Sequence, residues 1–466
     1  MHKKTDKTNI KKKINIERII NKSIDYANIK PIGYMAALMC STLIAGCGFE
    51  SNMDADASLA GPGVNSQVIT MENEAVLDYE VPEMTPGILV DRNGYSSNEI
   101  AIAYVFADKM PEEFTVKNSD GEAVATVKPT DIVLNREKGK FFAKLDLSEA
   151  SENGEYSIYS DSLGSSYDFA ISDTFFRDKY WNLIADECEK LANPDTSMWE
   201  AYSVLYSYER YKEVLYAEKK DAPDVLGAIV KFIAVTDFKN LKLSDKYVSI
   251  ALLARFGYNY KAVDEALATE CTQKASALYK ENADLKELTE EENAAKFLAA
   301  TELFRTTQAG TYSREILGMR EYLENLESMH DSPYILYGAM GYMTTRRGVD
   351  RGLCDFLMED LLYKCRDLND NKKLIDESKA PKEEAVKLLE YAQQFAAMNY
   401  ILDGYEYNEQ ILNIVHYLSG RNISGELYDF AAEDPSDAIP VYAWLAWLEN
   451  NGKLDPSAPV IWNYSW

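Results

Sequence analysis

The spacing of apolar residues changes period once, near residue 174, and this change limits the fold more than any other feature of the chain. Upstream, ILVDRNGY, EIAIAYVF, EFTVKN, EAVATVK, KFFAKLDL, GEYSIYS and SYDFAIS are short runs, several of them alternating with period two. RNG, SDG and ENG separate them. Period two places every second side chain on one face of a strand, and Gly/Asn/Asp clusters supply the turns. From Phe175 onward the period is helical. Trp181, Ile184, Cys188 and Leu191 recur at three- and four-residue steps, as do Val204, Leu205, Tyr208, Tyr211 and Leu215, and then Val225, Leu226, Ile229 and Ile233. Similar stretches predict helices near 245–256, 260–281, 290–307, 311–327, 333–344, 349–366, 382–402, 406–419 and 437–450. Thr289 with Glu292 reads as a capping box, and Pro381 suits a first helical turn.

Two domains follow. About seven strands over 87–173 predict a small β-sandwich of immunoglobulin-like type. That segment has no Cys and no Trp, which excludes an antibody-style core. About twelve helices over 174–455 predict six helical hairpins closed into an (α/α)6-type barrel. A helical solenoid is the alternative, but no fixed-period repeat supports one. The last residues, 456–466, form an aromatic tail in which Trp462 and Trp466 either dock on the barrel or present rings for stacking.

The 466 residues carry a formal charge of −27. Residues 1–30 hold nine Lys/Arg against three Asp/Glu, so the remainder is more acidic still. Such a surface repels phosphate backbones and argues against nucleic acid as a partner. The uncharged run from Pro31 to Cys47 is short for a transmembrane helix and fits a signal-peptide core. It ends in Ile44-Ala45-Gly46-Cys47, which resembles the lipobox of bacterial lipoproteins. That resemblance implies lipidation at Cys47, removal of the segment before it, and an extracytoplasmic protein anchored to the membrane. Residues 48–86 read as an acidic, Gly/Pro/Ser-containing tether. Four cysteines remain, Cys188, Cys271, Cys354 and Cys365. Cys354 and Cys365 share one predicted helix, where eleven steps span roughly 16 Å, too far for a disulfide. With only His330 and His416 downstream of Cys47, no zinc site is expected. Asp367, Asn369 and Asn371 begin like a calcium loop, but Lys372 and Ser378 occupy positions that such a loop gives to Gly and Glu. Calcium is thus a weak expectation beside a plain polar turn.

The order of the motifs resembles glycoside hydrolase family 9. Ile88-Leu-Val-Asp-Arg-Asn-Gly94-Tyr95 is similar to that family's opening strand and turn. Gly154-Glu-Tyr156 with Ser165-Ser-Tyr-Asp-Phe169-Ala-Ile171 is similar to its last sandwich hairpin. Ala201–Tyr211 resembles the barrel helix after the catalytic aspartate loop, and Ala222-Pro223-Asp224-Val-Leu226 resembles an I-P-D-L-L helix start. His416-Tyr-Leu-Ser-Gly420-Arg421-Asn422 resembles the D-Y-L-L-G-R-N segment. The resemblance implies a sandwich before an (α/α)6 barrel and a β-glucan substrate. It also implies an inverting mechanism, in which a base carboxylate activates water and an acid carboxylate protonates the leaving oxygen.

The chemical motifs depart from that pattern. Where the family carries G-G-W-x-D-A-G-D, this chain reads LANPDTSMWEAYS. Asp195 and Glu200 are the nearest carboxylates, each readable as a displaced base or as a helix-capping or solvated group. No His follows His416, so the family's P-H-H-R loop has no counterpart. Asp437 stands near the place of the family's acid, and is equally readable as a first-turn Asp that complements a helix dipole. Trp199, Arg421 and Asn422 are the candidate sugar contacts. The expectation is a polysaccharide-binding protein with reduced or lost hydrolysis. An active divergent glycosidase using Asp195 or Glu200 with Asp437 is one alternative. A non-catalytic assembly protein is the other.

Overall fold

The structure, a computed structural model, describes residues 86–136, 138–193, 195–216, 222–283, 285, 287–370, 374–375 and 381–455. Cys47, the signal segment, nearly all of the tether, Asn371 and the tail with Trp462 and Trp466 lie outside these residues. Among the described residues no helix is long and apolar enough to cross a membrane.

Among the described residues, ten strands form two facing sheets. One is four-stranded, built from Ile88–Leu89 (β1), Ile102–Ala107 (β3), Lys140–Asp146 (β7) and Thr130–Asn135 (β6), in the order β1-β3-β7-β6. The other follows the order β2-β10-β8-β4-β5, with β9 on β8. These are Tyr95–Ser96 (β2), Phe169–Ser172 (β10), Gly154–Ser160 (β8), Phe114–Asn118 (β4), Ala123–Val127 (β5) and Gly164–Ser165 (β9). The alternation expected from sequence is visible in β3, where Ala103, Val105 and Ala107 are buried while Ile102, Tyr104 and Phe106 are partly exposed. Ala103, Val105, Phe114, Val116, Leu145, Ile158 and Phe169 fill the space between the sheets.

The helices form a double ring. Met198–Tyr216, Leu243–Tyr260, Glu290–Thr307, Pro333–Met343, Pro381–Leu402 and Pro435–Asn450 touch in that order, and the last returns to the first. These six make the inner ring. Phe175–Lys190, Val225–Val235, Glu265–Asn282, the broken pair Gly310–Gly318 and Arg320–Glu324, Arg351–Asp370 and Asn408–Leu418 lie outside it, each preceding an inner helix or linking two of them. An inner helix has neighbours on every side, so apolar periodicity gives way to near-continuous burial. Every residue from Ala294 to Arg305 is buried. Gly338 lets two inner helices approach closely, since an added Cβ would stand 2.8 Å from the Phe297 ring. The capping box at Thr289 and Glu292 is formed, with bonds of 2.8 and 3.2 Å. Cys188, Cys271, Cys354 and Cys365 are free thiols.

The sandwich and the ring meet through two segments singled out by sequence. In the first, Asp91 accepts the backbone N–H of Asn93 and Gly94, at 2.7 and 3.1 Å, and so closes the RNG turn. Gly94 has φ of +121°, and a Cβ there would strike the Ala170 carbonyl. In the second, helix Asn408–Leu418 ends at Gly420, with φ of +108°, directly against Arg92. His416 joins the two. Its Nδ1 is 2.7 Å from Asp91 and its Nε2 is 3.0 Å from Glu99, all three side chains being buried. An acidic side chain at each nitrogen favours the imidazolium, in which both nitrogens donate. Burial pushes the His416 pKa down, but Glu99 and Asp91 outweigh it and hold it above its ordinary value. Arg92 donates to the Ser419 and Gly425 carbonyls, and Glu449 binds Ser96 Oγ at 2.6 Å.

Candidate functional site

Three inner helices begin at one end of the ring, and each brings an aromatic or acidic side chain in its first turn. Trp199 is the second residue of Met198–Tyr216, Tyr334 the second of Pro333–Met343, and Asp437 the third of Pro435–Asn450. The local sequence explains the starts. Ser197 and Glu200 cap the first helix reciprocally, while Pro333 and Pro435 occupy first-turn positions where no N–H is needed.

These side chains meet. Trp199 stacks on Tyr202 at 5.4 Å and meets Tyr334 edge-on at 5.0 Å and Tyr337 at 5.4 Å. The Trp199 side chain also lies near enough to Asp437 to oppose the rise in its pKa. Gln393, from Pro381–Leu402, donates to Asp437 at 3.1 Å and accepts from the Tyr337 hydroxyl at 2.5 Å. Burial raises the Asp437 pKa, Asp434 adds to the rise, and the bond from Gln393 opposes it. One turn before Gln393 stands Glu390. Burial, Asp437 and Asp331 together push its carboxyl up to about 7. A carboxyl near neutrality beside a second carboxylate can give or take a proton at ordinary pH.

Deeper in the ring the space is filled by charge. Glu302, with no exposed surface, accepts from Arg255 at 2.5 Å, Arg305 at 3.2 Å and Tyr202 at 2.9 Å. Glu209 accepts from Arg255 at 2.6 Å, Asn259 at 2.8 Å and Arg305. Burial pushes Glu209 up, but the two guanidiniums and the Asn259 bond hold it at about 2. Each member of this network has at least one charged partner within it, so it braces the helices, and Arg255 Nε is buried without a partner.

The site residues expected from sequence separate into three places. Trp199 and Asp437 come together. Glu200 lies one residue from Trp199, but its carboxylate accepts the Ser197 N–H at 2.7 Å. Asp195 is exposed in the turn 191–197, which folds on itself through Thr196 Oγ1 to the Lys190 carbonyl at 2.7 Å. Arg421 and Asn422 are buried at the sandwich junction. Arg421 donates to the Ile102 carbonyl at 2.9 Å, and Asn422 Nδ2 to the Tyr417 and Glu426 carbonyls at 2.8 Å each. Asp367 and Asn369 lie in the last turn of Arg351–Asp370. No cluster of three or more potential metal-binding side chains occurs among the described residues. Glu390 and Gln393 escaped the sequence reading. They sit inside the amphipathic run KLLEYAQQF, where nothing local distinguishes them.

Residues 83–165 match the model of the cellulase N-terminal ig-like domain. No curated protein matches the chain. Among solved structures, a metagenome-derived glycoside hydrolase family 9 endoglucanase superposes with a TM-score of 0.60 at 13% identity, covering 73% of this chain and 84% of its own. AaCel9A, solved in complex with cellobiose-like isofagomine, gives 0.58 at 15%, covering 73% and 84%. A family 9 glycoside hydrolase of Bacteroides ovatus gives 0.56 at 14%, covering 79% and 99%. The chain therefore has the family 9 endoglucanase fold, an immunoglobulin-like domain followed by a helical double ring.

Proposed function

We propose that this protein is a lipid-anchored extracytoplasmic glycan-binding protein that holds β-glucan chains at the mouth of its helical ring, with little hydrolysis by the inverting route. The observation that carries this reading is the Trp199–Tyr334 aromatic pair, near Asp437 at the end of the ring where the inner helices begin. Flat aromatic faces pack on the C–H faces of sugar rings, and carboxylate and amide groups bond the hydroxyls. Weak hydrolysis is supported by the shortness of segment 191–197, whose Asp195 points to no partner in the cluster and whose neighbour Glu200 is spent on capping. An inverting enzyme needs two carboxylates about 6.5–9.5 Å apart with a water between them. The lipid anchor rests on the Ile44–Cys47 segment alone.

Affinity electrophoresis through gels containing cellulose derivatives or mixed-linkage β-glucan tests the binding. The wild-type chain is expected to be retarded, and Trp199→Ala to lose about tenfold in affinity, roughly 1.4 kcal/mol. Unchanged mobility on every glucan sinks the proposal. A second reading is favoured by one observation, the near-neutral Glu390 beside Asp437. On that reading the chain is a divergent hydrolase with its acid on Pro381–Leu402. Reducing-sugar release that disappears in both Glu390→Gln and Asp437→Asn would select it.

A further inference from the structure

We infer that the junction between sandwich and ring holds a second saccharide site, built for a neutral mono- or disaccharide and separate from the Trp199 cluster. Strands β3 and β7 send alternate residues to opposite faces. Ala103, Val105, Ala143 and Leu145 are buried in the sandwich, which turns Tyr104 and Phe142 outward. Their rings lie 4.8 Å apart on that outer face. Helix Asn408–Leu418 faces them with Gln410 and Asn413, three residues apart and so on one side of the helix. Asn369 joins from the end of Arg351–Asp370. Between these elements is a cavity of ≈ 370 Å³, within the range of about 300–1,000 Å³ usual for small-molecule sites.

The lining is unlike that of a junction made only to pack. Gln410 and Asn369 have no hydrogen-bond partner for their amides among the described residues. Arg421 is 3% exposed. It donates from Nη1 to the Ile102 carbonyl at 2.9 Å and from Nη2 to Asn413 at 2.8 Å, with its guanidinium 4.5 Å over the Tyr104 ring. Its Nε–H is buried and unpaired. No Asp or Glu lines the cavity among the described residues, although the chain carries a charge of −27. Amides both donate and accept, as sugar hydroxyls do, and the paired rings supply the flat apolar face that a pyranose stacks on.

The choice of probe rests on the glycan reading above, whereas the site itself does not. The test is calorimetric titration of the full chain with cellobiose, laminaribiose and mannobiose, in the wild type, in Trp199→Ala and in the double variant Asn369→Ala/Gln410→Ala. The double variant removes side chains that hydrogen-bond no described residue, so its melting temperature should stay that of the wild type. At least one disaccharide is expected to bind with an affinity that Trp199→Ala leaves intact and the double variant weakens about tenfold. Binding lost in Trp199→Ala and unchanged in the double variant overturns the junction site and leaves the ring-mouth reading standing. Disaccharide binding lost only in the double variant upholds the junction site and leaves the ring-mouth reading to the glucan-gel experiment. No binding of any of the three disaccharides overturns this inference.

Discussion

Burial, with Asp437 and Asp331, pushes the Glu390 carboxyl from the 4.5 of an ordinary Glu up to about 7, and the sign of its effect on stability follows. Its folded pKa is raised, so between about 4.5 and 7 the folded chain holds a proton that the unfolded chain has released, and stability falls as pH rises through that window. Glu390→Gln removes the titration. The melting temperature of the wild type is therefore expected to decline relative to that of Glu390→Gln between those limits and to run parallel outside them, as a thermal series in matched buffers would show. A constant offset across the whole series would mean that the carboxyl is solvated. At this scale the sequence was informative where chemistry coincides with a helix start. Trp199 and Asp437 stand out because first turns expose side chains at the ring mouth. Glu390 was illegible, because its pKa is set by Asp437 and Asp331 on other elements.

At the scale of elements, the ring tolerates little change in side-chain volume. Helices Glu290–Thr307 and Pro333–Met343 are close enough that Gly338→Ala must displace the Phe297 ring. A loss of about 1–3 kcal/mol is expected, measured as a shift of the urea midpoint. No shift would mean that the Phe297 ring yields freely. Helical periodicity made nearly every helix legible, and two inner helices also begin at capping pairs, Ser197 with Glu200 and Thr289 with Glu292. Strand β6 was not legible. Thr130–Asn135 shows no alternation, because Ile132, Val133 and Leu134 are all about half exposed and Asp131 has φ of +52°. With neither face covered, the physical basis of a period-two pattern is missing.

For the whole molecule, the His416 triad governs how sandwich and ring hold together. The folded pKa of His416 lies above 6.5, so its contribution is complete below that value and lost as pH rises through the folded one. Asp91, raised by burial, acts in the same direction at lower pH. Tyr95, Lys179 and Arg421 stand around the triad and modulate it without reversing the sign. Heating the intact chain at pH of about 6 and about 9 should give a lower melting temperature at the alkaline end, and His416→Gln should flatten that difference. Equal slopes in both proteins would assign the pH dependence elsewhere. No sequence pattern reveals this contact, since His416 and Asp91 are 325 positions apart and only the fold makes them neighbours.

The ring closes between its first inner helix, Met198–Tyr216, and its last, Pro435–Asn450. The final helix also carries Glu449, whose carboxylate accepts from Ser96 in the sandwich and from the backbone of Phe176 and Arg177 at the start of the outer ring. A chain delivered from its N-terminus meets these acceptors last. The sandwich and the early helices must wait, with their seam open, until almost the whole polypeptide has emerged. A stop codon before residue 435 would therefore leave a ring with nothing to shut it.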